Sequence, residues 1–126
     1  MKSYIFFISA LILASVSVAS ELSPIEKKQR KVVSRFYEVL EMMPSRCPES
    51  KRSEYSSSVV KFENMYPKFK SALRDSKFRP YAIENFSNAS AVTEGGCLYI
   101  KDALDRYTNT DKGKQKMLEL LSVMAS

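Results

Sequence analysis

The chain contains no histidine, and that absence alone removes every Ser-His, Cys-His and histidine–metal arrangement. It has no Cys-x-x-Cys spacing, because only Cys47 and Cys97 are present, so the dithiol chemistry of a redox enzyme lacks its usual frame. The amino-terminal stretch has no twin-arginine pair and no cysteine at a cleavage point, which argues against Tat export and a bacterial lipid anchor. No segment alternates apolar and polar residues as a half-buried strand does, and no repeat, low-complexity tract or interdomain linker interrupts the chain.

What is present begins with Lys2 and an apolar run from Tyr4 to Ala14, followed by small residues. This is the pattern of a signal peptide. Cleavage after Ala19, with Ser17 and Ala19 at the small positions, is the preferred reading; cleavage after Ser20 is the alternative. A membrane anchor would need about 20 apolar residues, whereas Ser15, Ser17 and Ser20 shorten this run and Glu21 ends it. The expectation is an exported protein, periplasmic if the source is a Gram-negative bacterium and secreted otherwise, with a leader at 1–19 and one domain over 20–126.

In an oxidising compartment an even pair of cysteines in a small domain reads as one disulfide. Closing a loop of about 50 residues between Cys47 and Cys97 stabilises the fold by roughly 4 kcal/mol on chain-entropy grounds.

The periodicity predicts an all-α domain, a bundle of about five helices closed by that disulfide. Ser23-Pro24-Ile25-Glu26 is a capping box with proline at the first helical position. Ile25, Val32, Val33, Phe36, Val39, Leu40 and Met43 then share one face, and Pro44 is expected to stop the helix, leaving residues 44–50 as a turn carrying Cys47. A second stripe, Tyr55, Val59, Phe62, Tyr66, Phe69 and Leu73, recurs every three or four residues from near Lys51. Pro67 lies inside it and should break or bend it, since its ring crowds the Glu63 carbonyl and it offers no amide donor. The stripe is too short for a coiled coil.

Pro80 opens a short third helix presenting Ala82, Ile83 and Phe86, and residues 87–96 read as a loop. Cys97, Ile100, Leu104 and Tyr107 mark a fourth helix, residues 109–113 a connection, and Met117, Leu118, Leu121 and Met124 a fifth. The aromatic residues are expected to fill the core, with Tyr99 the exception, projecting toward the edge of its helix.

Motifs that carry chemistry are thin. Ser58-Val59-Val60-Lys61 matches the Ser-x-x-Lys element of penicillin-recognising enzymes, but companion motifs are missing and the chain is too short for that fold. Glu38 with Glu41, and Asp102 with Asp105, stand at helical spacing and could divide an acid and base task, although solvated helix faces explain them better and a small bundle offers little room for a substrate cleft. Asn109, Asp111 and Gly113 fall short of a calcium loop because no glutamate closes the twelve-residue frame. Asn85 and Asn88 begin sequons that matter only in a eukaryotic secretory pathway, and an expected burial of Phe86 argues against a sugar beside it. No catalytic residue, metal site or cofactor is expected.

Charge is the positive clue. Of twenty basic and fourteen acidic side chains, only Lys2 falls in the leader, so the remainder stays basic. Lys27, Lys28, Lys31 and Arg35 project opposite the apolar stripe of the first helix, and Lys68, Lys70, Arg74, Lys77 and Arg79 form a second cluster. Lysines early in a helix and Glu38 and Glu41 late in it both oppose the macrodipole, which favours a role outside the fold. The expectation is a non-enzymatic binding protein of inhibitor or immunity type, engaging another exported or envelope protein through Lys27, Lys28, Lys31, Arg35 and Tyr99. The alternative is a binder of anionic envelope polymers or membrane surfaces, or a basic chaperone. Nucleic acid is not an expected partner, because export separates the protein from it.

Overall fold

In a computed structural model that describes residues 21–126, helix α1 starts with the reciprocal cap that the sequence predicts. The Ser23 hydroxyl accepts from the Glu26 amide at 3.2 Å, and the Glu26 carboxylate accepts from the Ser23 amide at 3.1 Å. Two of the orphan donors of a helix start are thereby satisfied. The expected leader, 1–19, lies outside the described residues.

Helix α1 covers residues 24–46 in three parts: α-helical Pro24–Tyr37, a π-helical turn Glu38–Met42, and a closing α-turn Met43–Arg46. Pro44 therefore does not stop the helix, contrary to the sequence reading. In the widened turn the Met43 amide reaches five residues back to the Glu38 carbonyl. The next carbonyl, Val39, would be served by the residue at 44, and proline has no amide to give. The buried Tyr55 hydroxyl donates to it instead. The turn expected over residues 44–50 shrinks to Cys47 and Pro48.

Helix α2 (Glu49–Met65) and helix α3 (Pro67–Asp75) divide the second stripe where Pro67 predicts a break. Tyr66 leaves helical geometry at φ −125° and ψ 59°, and Pro67 opens α3 at its first position, where the missing amide would have been unpaired anyway. The break turns the expected five helices into six. Helix α4 (Arg79–Asn85) carries Pro80 in its first turn. Ala82 is buried as predicted, but Ile83 is exposed and Phe86, expected in the core, is half-buried against the Tyr37 ring.

Two predicted connections are shorter than expected because threonine side chains start the helices early. Thr93 caps helix α5 (Glu94–Asn109) by accepting from the Gly96 amide at 3.1 Å, which places Gly95 and Gly96 in the first helical turn rather than in a loop. Thr110 alone separates α5 from helix α6 (Asp111–Ala125) and accepts from the Gly113 amide at 3.0 Å. Gly113 is helical and buried. A Cβ at that position would stand 1.9 Å from the Arg106 carbonyl oxygen, so the lack of a side chain is what lets α5 and α6 close this tightly.

The core lies where the faces of these helices converge. Phe36, Phe62 and Phe69 pack ring to ring with centroids 4.9–6.1 Å apart, in the offset and edge geometries aromatic rings prefer. Val33, Met43, Tyr55, Leu104 and Met117 surround them. On α6 the buried hydrophobic side chains are Met117 and Leu120, while Leu118, assigned to the apolar stripe from sequence, is exposed. The Cys47–Cys97 disulfide is formed and buried, tying the end of α1 to the start of α5 with Cα atoms 5.5 Å apart. No strand occurs among the described residues, and no helix there is long and apolar enough to cross a membrane.

Candidate binding surface

Helix α1 buries Val33, Phe36, Val39, Leu40 and Met43, so the α-helical rotation of 100° per residue turns Lys27, Lys28, Lys31 and Arg35 to the opposite side. All four are exposed. Arg35 pairs with Glu38 at 3.2 Å while its side chain stays 56% exposed. Lys27, Lys28 and Lys31 have no acidic partner among the described residues. Three lysines without counter-charge on one helical face, next to a fourth cation, sum to a local positive field open to water.

The second basic cluster is different. Lys70 pairs with Glu63 at 3.6 Å, Lys77 with Glu26, and Arg79 with Glu41 through two nitrogens at 2.6 and 2.7 Å. Bidentate pairing fixes a guanidinium's direction as well as its charge. Only Lys68 and Arg74 of that group remain unpaired among the described residues, so its field is largely cancelled. The Arg79 guanidinium also stands over the Tyr37 ring at 5.6 Å and that of Arg30 over Tyr81 at 4.9 Å. These are contacts that hold α4 onto α1.

The acidic residues late in α1 likewise have structural work. Glu38 bridges Arg35 and Arg46, and Glu41 receives Arg79. Their opposition to the macrodipole is offset by these cations, which corrects the reading that they favour an external role. Arg46 also fastens the connection between α4 and α5: its Nε donates to the Ser90 carbonyl at 2.7 Å, and its own carbonyl accepts from the Val92 amide at 2.9 Å.

Tyr99 stands in the second turn of α5 and is 75% exposed. The structure does not set it beside the α1 cations, because α5 packs mainly on α2 and α6 whereas α1 packs mainly on α4. The residues singled out from sequence therefore form two places, a basic face and a separate exposed aromatic.

The other motifs resolve as parts of the scaffold. Lys61 Nζ donates to the Asn109 side chain at 2.5 Å. Burial pushes the Asp105 carboxyl upward, but hydrogen bonds from Lys101 and Ser58 outweigh it and hold the group below its ordinary range. A lysine engaged by Asn109 does not supply the hydroxyl–amine pair that Ser-x-x-Lys chemistry requires. No cluster of three or more potential metal ligands occurs among the described residues. Asn85 and Asn88 are exposed, and with Phe86 only half-buried the packing argument against their use as sugar acceptors weakens. Searches against family models, curated proteins and solved structures return no match to this chain.

Proposed function

We propose that this chain is an exported, non-enzymatic binding module of inhibitor or immunity type, whose partner is a protein with an acidic surface. The observation that carries the reading is the row of Lys27, Lys28 and Lys31 on the outer face of α1, exposed and without counter-charge among the described residues, while Lys70, Lys77 and Arg79 of the second basic cluster are neutralised. The fold does not need these lysines, since they touch neither the core nor an ion pair. They lie early in α1, where positive charge is mildly unfavourable to the helix dipole. Such a face accelerates and orients encounter with an oppositely charged protein. The disulfide agrees with assembly in an oxidising compartment.

Affinity capture from the native compartment with the oxidised domain as bait, followed by the triple charge reversal Lys27→Glu, Lys28→Glu and Lys31→Glu, tests the reading. The reversal is expected to weaken the captured partner while leaving helicity intact. A protein partner with an apolar anchor should persist at about 0.5 M salt, where screening has shortened the reach of charge to a few ångströms. Release of every bound species at that salt would point instead to an anionic polymer or membrane surface. Equal capture by the original and the reversed chain at low salt would leave the face as a merely solubilising one.

A further inference from the structure

Resting on the reading of the chain as a protein-binding module, we infer that the groove between α5 and α6 is its anchor site and receives an acidic segment of a partner protein that inserts apolar side chains. The groove encloses about 600 Å³, within the range of sites that hold a specific ligand group. Ala103, Tyr107 and Gly113, buried or half-buried, line it as a floor, and the exposed Arg106, Lys112 and Lys116 line it toward solvent. Gly113 creates the floor: the missing Cβ draws the helices together near Arg106 and leaves no side chain between them.

Charge complementarity selects the occupant. Among the described residues the only acidic one lining the groove is Glu119, which Lys116 pairs at 3.4 Å. Arg106 and Lys112 are exposed and have no acidic partner among the described residues, so the edges carry surplus positive charge above an apolar floor. A partner that satisfies both presents carboxylates around aliphatic or aromatic anchors. The site continues beyond its floor, because Tyr99, Ala103 and Arg106 follow one another at i, i+4 and i+7 on α5, a strip about 10 Å long. Tyr99 at its end is the most exposed of the large apolar side chains among the described residues, and aromatic residues of this kind dominate binding energy when a partner covers them. A linear protein segment can follow the strip. A single acyl chain would leave one side in water, since helices wall only two sides.

Titration of the ¹⁵N-labelled oxidised chain with a synthetic amphipathic peptide bearing leucines on one face and glutamates on the other tests the assignment. Saturable shifts confined to Tyr99, Ala103, Arg106, Tyr107 and Gly113 are expected. Arg106→Glu with Lys112→Glu should weaken the peptide at least about tenfold, whereas Lys68→Glu with Arg74→Glu, an equal charge change on α3, should not. A peptide with serine for leucine should lose the site, as should one with lysine for glutamate. Shifts on α1 instead, with none in the groove, would overturn this assignment and leave the proposed function standing through its basic face. Binding that ignores the leucines would overturn it as plain charge attraction, and laurate binding these residues more tightly than the peptide would overturn the choice of a protein occupant. No saturable shift anywhere would reject the groove as an anchor, while capture through α1 would still decide the broader reading.

Discussion

The Tyr55 hydroxyl on α2 donates a 2.5 Å hydrogen bond to the Val39 carbonyl on α1, the carbonyl left without an amide by the π-turn and by Pro44. The phenol and the proline thus belong to one device. Pro44 removes a donor, the helix widens rather than ending, and a side chain sixteen positions beyond Val39 supplies what the backbone cannot. Tyr55→Phe keeps the ring and strands a buried carbonyl, so it should destabilise the fold by about 1–3 kcal/mol. Urea denaturation of the two proteins measures this. A change below a few tenths of a kcal/mol would mean that water replaces the phenol.

Gly113→Ala and Gly95→Ala should move stability in opposite directions. At 113 a Cβ meets the Arg106 carbonyl oxygen and the backbone of Tyr107, whereas at 95 it meets nothing within 4 Å. Separating α5 from α6 should cost at least about 1–3 kcal/mol, as overpacking does. Relief of the glycine penalty in the first turn of α5 should contribute up to roughly 1 kcal/mol. Thermal melts of both variants side by side check the signs.

Removing the disulfide through Cys47→Ser with Cys97→Ser should lower stability by about 4 kcal/mol, the loop-closure value for the 50-residue separation. Intact mass of the original protein purified without reductant should show no alkylatable thiol. Two free thiols in that preparation would refute the bond.

Stability should fall at both ends of the pH scale for identifiable reasons. Burial raises the Tyr55 phenol well above its ordinary range, and burial raises Tyr66 as well. Unfolded tyrosines ionise near about pH 10 while the folded chain keeps these protons, so their stabilisation is whole below that pH and declines as pH rises through it. At the acid end the Lys77 hydrogen bond, with the Ser23 amide behind it, lowers Glu26 from 4.5 to about 2. Its contribution is present above 4.5 and is lost as pH falls toward 2. Urea midpoints across pH should show both limbs, with Glu26→Gln flattening the acid one and Tyr55→Phe the alkaline one.

Lys27→Glu, Lys28→Glu and Lys31→Glu should leave the melting temperature unchanged or slightly higher, since exposed substitutions seldom exceed about 0.5 kcal/mol and negative charge early in a helix suits its dipole. Calorimetry on the triple variant checks this independently of any partner. A large drop would mean that the face supports the fold after all.

The amino-acid sequence by itself determined the helical class, the start of α1 at Ser23, the break at Pro67, the Cys47–Cys97 pair and most of the core, because each follows from local chemistry or from a period within one helix. It also placed Lys27, Lys28 and Lys31 on an outward face, since the apolar stripe of α1 fixes the opposite side. Tertiary structure decided the rest. Pro44 continues the helix only because Tyr55 arrives from α2, and Glu38 and Glu41 are satisfied by Arg46 and by Arg79 from α4. Gly113 reads as a loop residue in sequence, yet the Thr110 cap starts α6 before it, and its missing Cβ leaves room for the Arg106 carbonyl of α5. The groove beside it, and the neutralisation of one basic cluster but not the other, depend on distances between helices, and no periodicity within a single helix contains that information.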